Sequence, residues 1–97
     1  MEQISIGAEV LIHKRCWLQT QLFSGRPPEL FIGNGCVIGN FNHITCVDSV
    51  RIEDKVLTAD GVFISDHGHA YQDSTRPILE QGVSPGRPVV IGSGSWL

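Results

Sequence analysis

Aliphatic residues recur every six positions along most of this chain. They stand at Ile6, Ile12 and Leu18, at Ile32, Ile38 and Ile44, at Ile52 and Ile64 with Thr58 between them, and at Ile91 and Leu97. Ten of these eleven positions are Ile or Leu, far above the share set by the 26 Ile, Leu and Val among 97 residues. Two further columns keep the register. Glycine follows the aliphatic at Gly7, Gly33, Gly39 and Gly92, and a small or branched residue lies four places on at Val10, Cys16, Cys36, Val56 and Val62. A period of six is neither the 3.6 of an α-helix nor a sustained strand alternation. Each hexad therefore reads as one short strand and one corner, and three hexads close a triangular coil of about eighteen residues that stacks on its neighbours as a parallel β-helix. The column Ile32, Ile38, Ile44 is expected to pack under Ile52, Thr58 and Ile64, each buried aliphatic contributing about 1.5–3 kcal/mol. Glycine beside the aliphatic is expected to serve the corners, where the backbone bends sharply.

Three breaks interrupt the register. Between Leu18 and Ile32 the phase slips by two residues around Ser24, Gly25, Arg26, Pro27 and Pro28, whose prolines cannot donate to a ladder. It slips by two again near Asp48 and Ser49. The third break is larger: residues 66–88 carry no hexad and hold two histidines, three of the five prolines and the only tyrosine. A loop of that length in a compact solenoid is either functional or disordered.

Composition narrows the class. At 97 residues and 10.6 kDa the chain makes one small domain, with no room for a second core. A net charge of -3 leaves no basic footprint for nucleic acid or an anionic membrane surface. Three cysteines, Cys16, Cys36 and Cys46, with no closely spaced pair, argue against a disulfide framework and for a reducing compartment, where they serve as small buried hydrophobes. The longest uncharged stretch, Leu30 to Val47, holds three glycines and three asparagines and is too polar to span a bilayer. No basic segment followed by an apolar one opens the chain, so no signal peptide is read there and the expected location is cytoplasmic.

Four motifs carry the candidate chemistry: Ile-Gly-Asn-Gly-Cys-Val-Ile-Gly from Ile32, Asn40-Phe41-Asn42 followed by Asp48, Asp66-His67-Gly68-His69, and Gly-Arg-Pro-Val-Val-Ile-Gly-Ser-Gly-Ser-Trp ending at Trp96. In this order and spacing they resemble the hexapeptide-repeat acyltransferases, and within them the maltose, galactoside, xenobiotic and surface-polysaccharide O-acetyltransferases. That resemblance implies an all-β fold, a single-stranded left-handed parallel β-helix with a loop extruded at about residues 66–88, assembled as a homotrimer. It implies acetyl-CoA as donor, a small acceptor bearing a hydroxyl, no metal, and an active site in the cleft between subunits. It assigns the general base to His69, five residues on from the inward Ile64, with His67 second. Imidazole, with an unperturbed pKa of about 6.5, suits proton removal near neutral pH. By the same resemblance Asn40, Asp48 and Glu80 contact the acceptor and Trp96 packs on the pantetheine arm of CoA. From the residues alone, both histidines also fit solvated loop positions and Asn40 fits a corner that tolerates positive φ.

The family's pattern continues past its tryptophan, so the resemblance makes residues 1–97 a single β-helix domain, incomplete at the C-terminus. A noncatalytic, degenerate scaffold built from the same repeat is the alternative, separated from the enzyme by acetyl-CoA binding. A zinc site at His43, His67 and His69 is the remaining possibility, since a related family with this helix, the γ-class carbonic anhydrases, binds zinc with three histidines. The spacing here does not resemble theirs, and no metal is expected.

Overall fold

The structure, a computed structural model, describes residues 4–23 and 25–97; Ser24, in the first break, and residues 1–3 lie outside it. It is all-β, with one 3-10 turn at Ile78–Glu80 as its helical element among the described residues. Strands β1 (Ile4–Ile6), β4 (Glu29–Ile32), β7 (Ser49–Ile52) and β9 (Val89–Ile91) form one sheet. Strands β2 (Leu11–Ile12) and β5 (Val37–Ile38) form a second, which the bridges Val37–Leu57 and Leu57–Trp96 extend. Strands β3 (Trp17–Thr20), β6 (His43–Cys46) and β8 (Phe63–Ser65) form the third. All these pairings are parallel. The chain thus lays one strand on each of three faces in turn, an arrangement consistent with a β-helix.

The hexad positions stand in line through the coils. Ile6, Ile32, Ile52 and Ile91 pair in sequence on the first face, and Leu18, Ile44 and Ile64 on the third. Ile12 pairs with Ile38 on the second, and the Thr58 amide bonds to the Val37 carbonyl at 2.9 Å one coil away. Ile32, Ile38, Ile44 and Ile52 are fully buried, and with Leu30, Val50, Cys36, Cys46, Val56 and Ile64 they fill the middle of the stack. Thr58, the one polar member of the inward columns, is satisfied in place. Its hydroxyl accepts from the Gly39 amide at 2.9 Å and donates to Asn42 Oδ1 at 2.5 Å, while Asn42 Nδ2 donates to the carbonyls of Ala59 and Asn40.

Two of the three corners repeat tightly. At the first, Glu9, Gly35, Lys55 and Gly94 hold positive φ; at the second, Arg15, Phe41 and Gly61 do so. Side-chain oxygens stitch these corners from coil to coil: Asn34 Oδ1 accepts from Ala8, Asp54 Oδ1 from Asn34, Asn40 Oδ1 from Lys14 and Asp60 Oδ1 from Asn40. The glycine column has a different cause from the one expected. The left-handed residue comes two places after the glycine, and the glycine is required by the next coil: a Cβ on Gly7 would strike the Asn34 side chain, and one on Gly33 the Asp54 side chain.

The breaks also differ from their sequence reading. Eight residues, 21–28, separate β3 from β4, so the first break is an insertion of eight and not a slip of two; the phase hid this because eight exceeds one hexad by two. Two residues, 47–48, separate β6 from β7, and residues 66–88 separate β8 from β9. Every insertion leaves from the third corner.

Gly39→Ala would bring a Cβ to 2.6 Å from the Ala59 carbonyl oxygen, whereas Gly92→Ala meets nothing within 4 Å. The first is expected to lower stability by about 1–3 kcal/mol in urea unfolding. The second should stay within about 0.5 kcal/mol of the parent chain.

Candidate functional site

The third corner gathers the segments that carry chemistry, and Asp66 anchors them. Its side chain is fully buried at the end of β8. There it fills a concavity of successive backbone amides on the coil below, the kind of nest that holds an anion. Oδ1 accepts from Val47 at 3.0 Å, and Oδ2 accepts from Asp48 and Ser49 at 2.8 Å each. Oδ1 also meets His67 Nδ1 at 2.9 Å. Burial alone would raise the Asp66 pKa, but the His67 hydrogen bond and the three amides hold it below the ordinary carboxylate value. The same burial and the Asp66 charge push the neighbouring Cys46 thiol up to about 11, so it stays protonated.

Asp66 also closes the root of the loop. Its carbonyl accepts from the Arg87 amide at 3.0 Å, and Gly86 lies so close that a Cβ there would sit 2.8 Å from the Val47 side chain. Above this root the two arms pair: Ser84 N donates to the Gly68 carbonyl at 2.7 Å, Gly68 N to Ser84 Oγ at 2.9 Å, Ala70 N to the Gly82 carbonyl at 3.0 Å, and His69 bridges Val83 antiparallel. The position of His69 is set by this short ladder.

The two histidines differ in environment. His67 has a side chain only 9% exposed, and in the neutral ring the Nδ1–H donates to the ionised Asp66, which leaves Nε2 as the acceptor. His69 is exposed. Both line a groove of about 370 Å³ on the outer face of the third sheet, with Gln19, His43, Thr45, Phe63 and Ser65. A second cleft of about 440 Å³ lies under the loop, lined by Tyr71, Gln72, Arg76, Gln81 and again His69. His69 is the one residue lining both.

The remaining sequence candidates fall into two groups. Asp48 stands at the third corner in a separate cleft, lined also by Phe23, Arg26, Val47, Pro85 and Gly86, its amide on Asp66 and its carboxylate 3.7 Å from Arg26. Glu80 lies in the loop's 3-10 turn, where its amide and carbonyl bond to Pro77 and Arg76. Asn40 is a rung of the second corner, bonded to Lys14 and Asp60, and Trp96 is exposed on the second face beside Leu57. The groove lining includes none of Asp48, Asn40, Trp96 and Glu80. Among the described residues no three His, Cys, Asp or Glu side chains converge as a metal site, and His43 stacks between Trp17 and Phe63. Among the described residues no helix is long and apolar enough to cross a membrane. Sequence reasoning quoted Asp66 within a motif but gave it no role, and it passed over Ser84; the available signal for Asp66 was its place directly after a strand, at the start of the longest insertion.

Asp66 stabilises the fold only while ionised. Because its folded pKa is depressed, that contribution is present above the unfolded value of about 3.9 and is lost as pH falls through the folded one. Asp66→Asn turns an amide group toward amide donors and is expected to cost about 1–3 kcal/mol at neutral pH. In urea unfolding from pH 7 downward, the gap between parent and variant should narrow only in the acid range.

No family model matches the chain, and no solved structure matches it significantly. Two curated proteins do. The Mycobacterium tuberculosis protein Rv3034c, named a probable acetyltransferase, is 38% identical over 69 residues, covering 71% of this chain and 23% of its own length. The Escherichia coli K12 protein WbbJ, named by provisional assignment a lipopolysaccharide biosynthesis O-acetyl transferase, is 30% identical over 74 residues, covering 70% of this chain and 38% of its own length. The chain thus spans less than two fifths of either relative, and over that span it is similar to proteins named acetyltransferases.

Proposed function

We propose that this chain acts in acetyl transfer from acetyl-CoA to a hydroxyl of a sugar or similar small acceptor, with His69 as the general base. The observation that carries this reading is that His69 lines both the groove on the third face and the cleft under the loop. A base in acyl transfer has to reach the acceptor hydroxyl while that oxygen attacks the acyl carbonyl. In this scheme His69 takes the hydroxyl proton as the new ester bond forms and returns it to the departing CoA sulfur. When bound, acetyl-CoA supplies the activated thioester. The similarity to proteins named acetyltransferases supports the same class of reaction.

His67 is the second candidate for the base. Its near burial and its tie to Asp66 suit it better to holding the root of the loop than to reaching a bulky acceptor. Asp48, at the same corner, is proposed to contact the acceptor, and Glu80 to approach it from the loop. Asn40 and Trp96 lie on other parts of the coil and take their proposed roles, beside the acceptor hydroxyl and on the pantetheine arm, only if a neighbouring subunit brings them to His69. We therefore include a homotrimer of left-handed coils in the proposal. The outward apolar column Leu11, Val37 and Leu57 on the second face supports self-association.

His69→Ala is expected to lower acetyl-CoA-dependent acetylation by about 10²- to 10⁴-fold without changing the sedimentation mass. A larger loss in His67→Ala would transfer the role to that residue, and full activity in both variants would overturn the reading. Calorimetric titration with CoA should show saturable binding; its absence would favour a noncatalytic scaffold.

A further inference from the structure

One side chain holds the shape of the loop at residues 66–88 above its paired root. Gln81, half-buried on the returning arm, sends its carboxamide to the backbone of the outgoing arm. Its Nε2 donates to the carbonyls of Asp73 and Arg76 at 2.8 Å each, and its Oε1 accepts from the Asp73 amide at 3.2 Å. Only this orientation serves all three partners, because a flipped amide would set its oxygen against two carbonyl oxygens. The same segment is tied locally as well. The Asp73 carboxylate accepts from the Thr75 amide at 3.0 Å and the Thr75 hydroxyl at 2.6 Å, and Arg76 Nη2 donates to the Glu80 carbonyl at 2.7 Å. Apolar packing adds little, since Ile78 and Leu79 in the 3-10 turn are both exposed. Hydrogen bonds therefore fix residues 73–81, with Gln81 in the place of the backbone partners that a strand would supply.

Asp73, Arg76 and Gln81 line the cleft of about 440 Å³ that His69 also lines. The ladder that sets His69 is separate, because Gly68 pairs with Ser84 and Ala70 with Gly82 without any atom of the Gln81 side chain. Base and cleft wall are thus held by different bonds. We infer that Gln81 is a positioning residue whose carboxamide fixes the wall of this cleft and so sets the affinity for the acceptor while leaving proton transfer at His69 alone, a role that rests on the acetyl-transfer reading for what enters the cleft but not for the bonds that shape it. A ligand in the cleft meets a segment already ordered in the free protein. Releasing residues 73–76 from Gln81 would add the cost of ordering them to every binding event, which weakens binding without altering the reacting groups.

The test compares the whole parent chain with Gln81→Ala, Gln81→Met and Gln81→Glu, with acetyl-CoA as donor and a panel of methyl glycosides as probe acceptors. Met keeps the length without polar atoms, and Glu keeps an acceptor for the Asp73 amide but has no proton for the two carbonyls at neutral pH. All three variants are expected to raise KM for the probe by about tenfold with kcat within about threefold of the parent. KM for acetyl-CoA and the pH profile of kcat should not move. Amide exchange followed by NMR should quicken at Asp73 by about tenfold, while Gly68, Ala70 and Ser84 in the ladder keep the parent rates. A loss in kcat as large as the rise in KM, or a displaced pH profile, would make Gln81 act through His69 and overturn the inference. Parent KM in Gln81→Met or Gln81→Glu would overturn it too, because bulk and not bonding would then shape the wall. No acetylation of any probe by the parent, with faster Asp73 exchange in the variants, would remove the acetyl-transfer reading and leave the Gln81 bonds standing; unchanged Asp73 exchange in variants that still acetylate would do the reverse.

Discussion

Coil-to-coil bonding at two of the three corners constrains everything else in this protein. At the first and second corners an Asn or Asp oxygen on one coil accepts a backbone amide of the coil before it, and glycines sit where a Cβ would strike that side chain, at Gly7 and Gly33, or the backbone of the next coil, at Gly39. An extra residue at either corner would break the rung and turn the following strand's inward side chains out. The third corner has no such repeat and takes all the length variation: eight residues, then two, then residues 66–88. The candidate site is located there because it is the one vertex where the stack tolerates added chain.

That tolerance needs an anchor, and the Asp66 carboxylate supplies it. One buried anion satisfies three amides at the corner below, fixes His67, and through its own carbonyl closes the loop on Arg87. The paired arms above it then set His69 at the junction of the groove and the loop cleft. Core, anchor and loop form one chain of dependence: the parallel register fixes the corner amides, the amides hold the carboxylate, and the carboxylate positions the imidazoles.

The repeat was legible because each inward position meets the same environment in every coil, so even the exception, Thr58, stands in line and is satisfied by Asn42 and Gly39. The histidines were legible as candidates because they interrupt the repeat. Three features were not. The length of the first insertion was hidden because adding eight residues shifts the phase as much as adding two. The reason for the glycines lies in side chains one coil away. The Asp66 partners are backbone amides 17 to 19 residues earlier, and a backbone amide leaves no signature in the identity of its residue. Asn40, quoted for its place in a motif, is engaged as a corner rung within the single chain, a role that its identity alone could not distinguish from an acceptor contact.

The nest at Val47, Asp48 and Ser49 has a consequence for how the molecule opens. In a stacked coil, strands at the two ends fray first and amides at loop vertices ordinarily exchange with solvent early. Here three vertex amides are capped by a side chain rooted in the core of the next coil, so their exchange requires the second and third coils to part and not merely the loop to swing away. The longest insertion in the protein therefore rises from a point as resistant to opening as its interior, and motion at the loop's tip is decoupled from the integrity of its base.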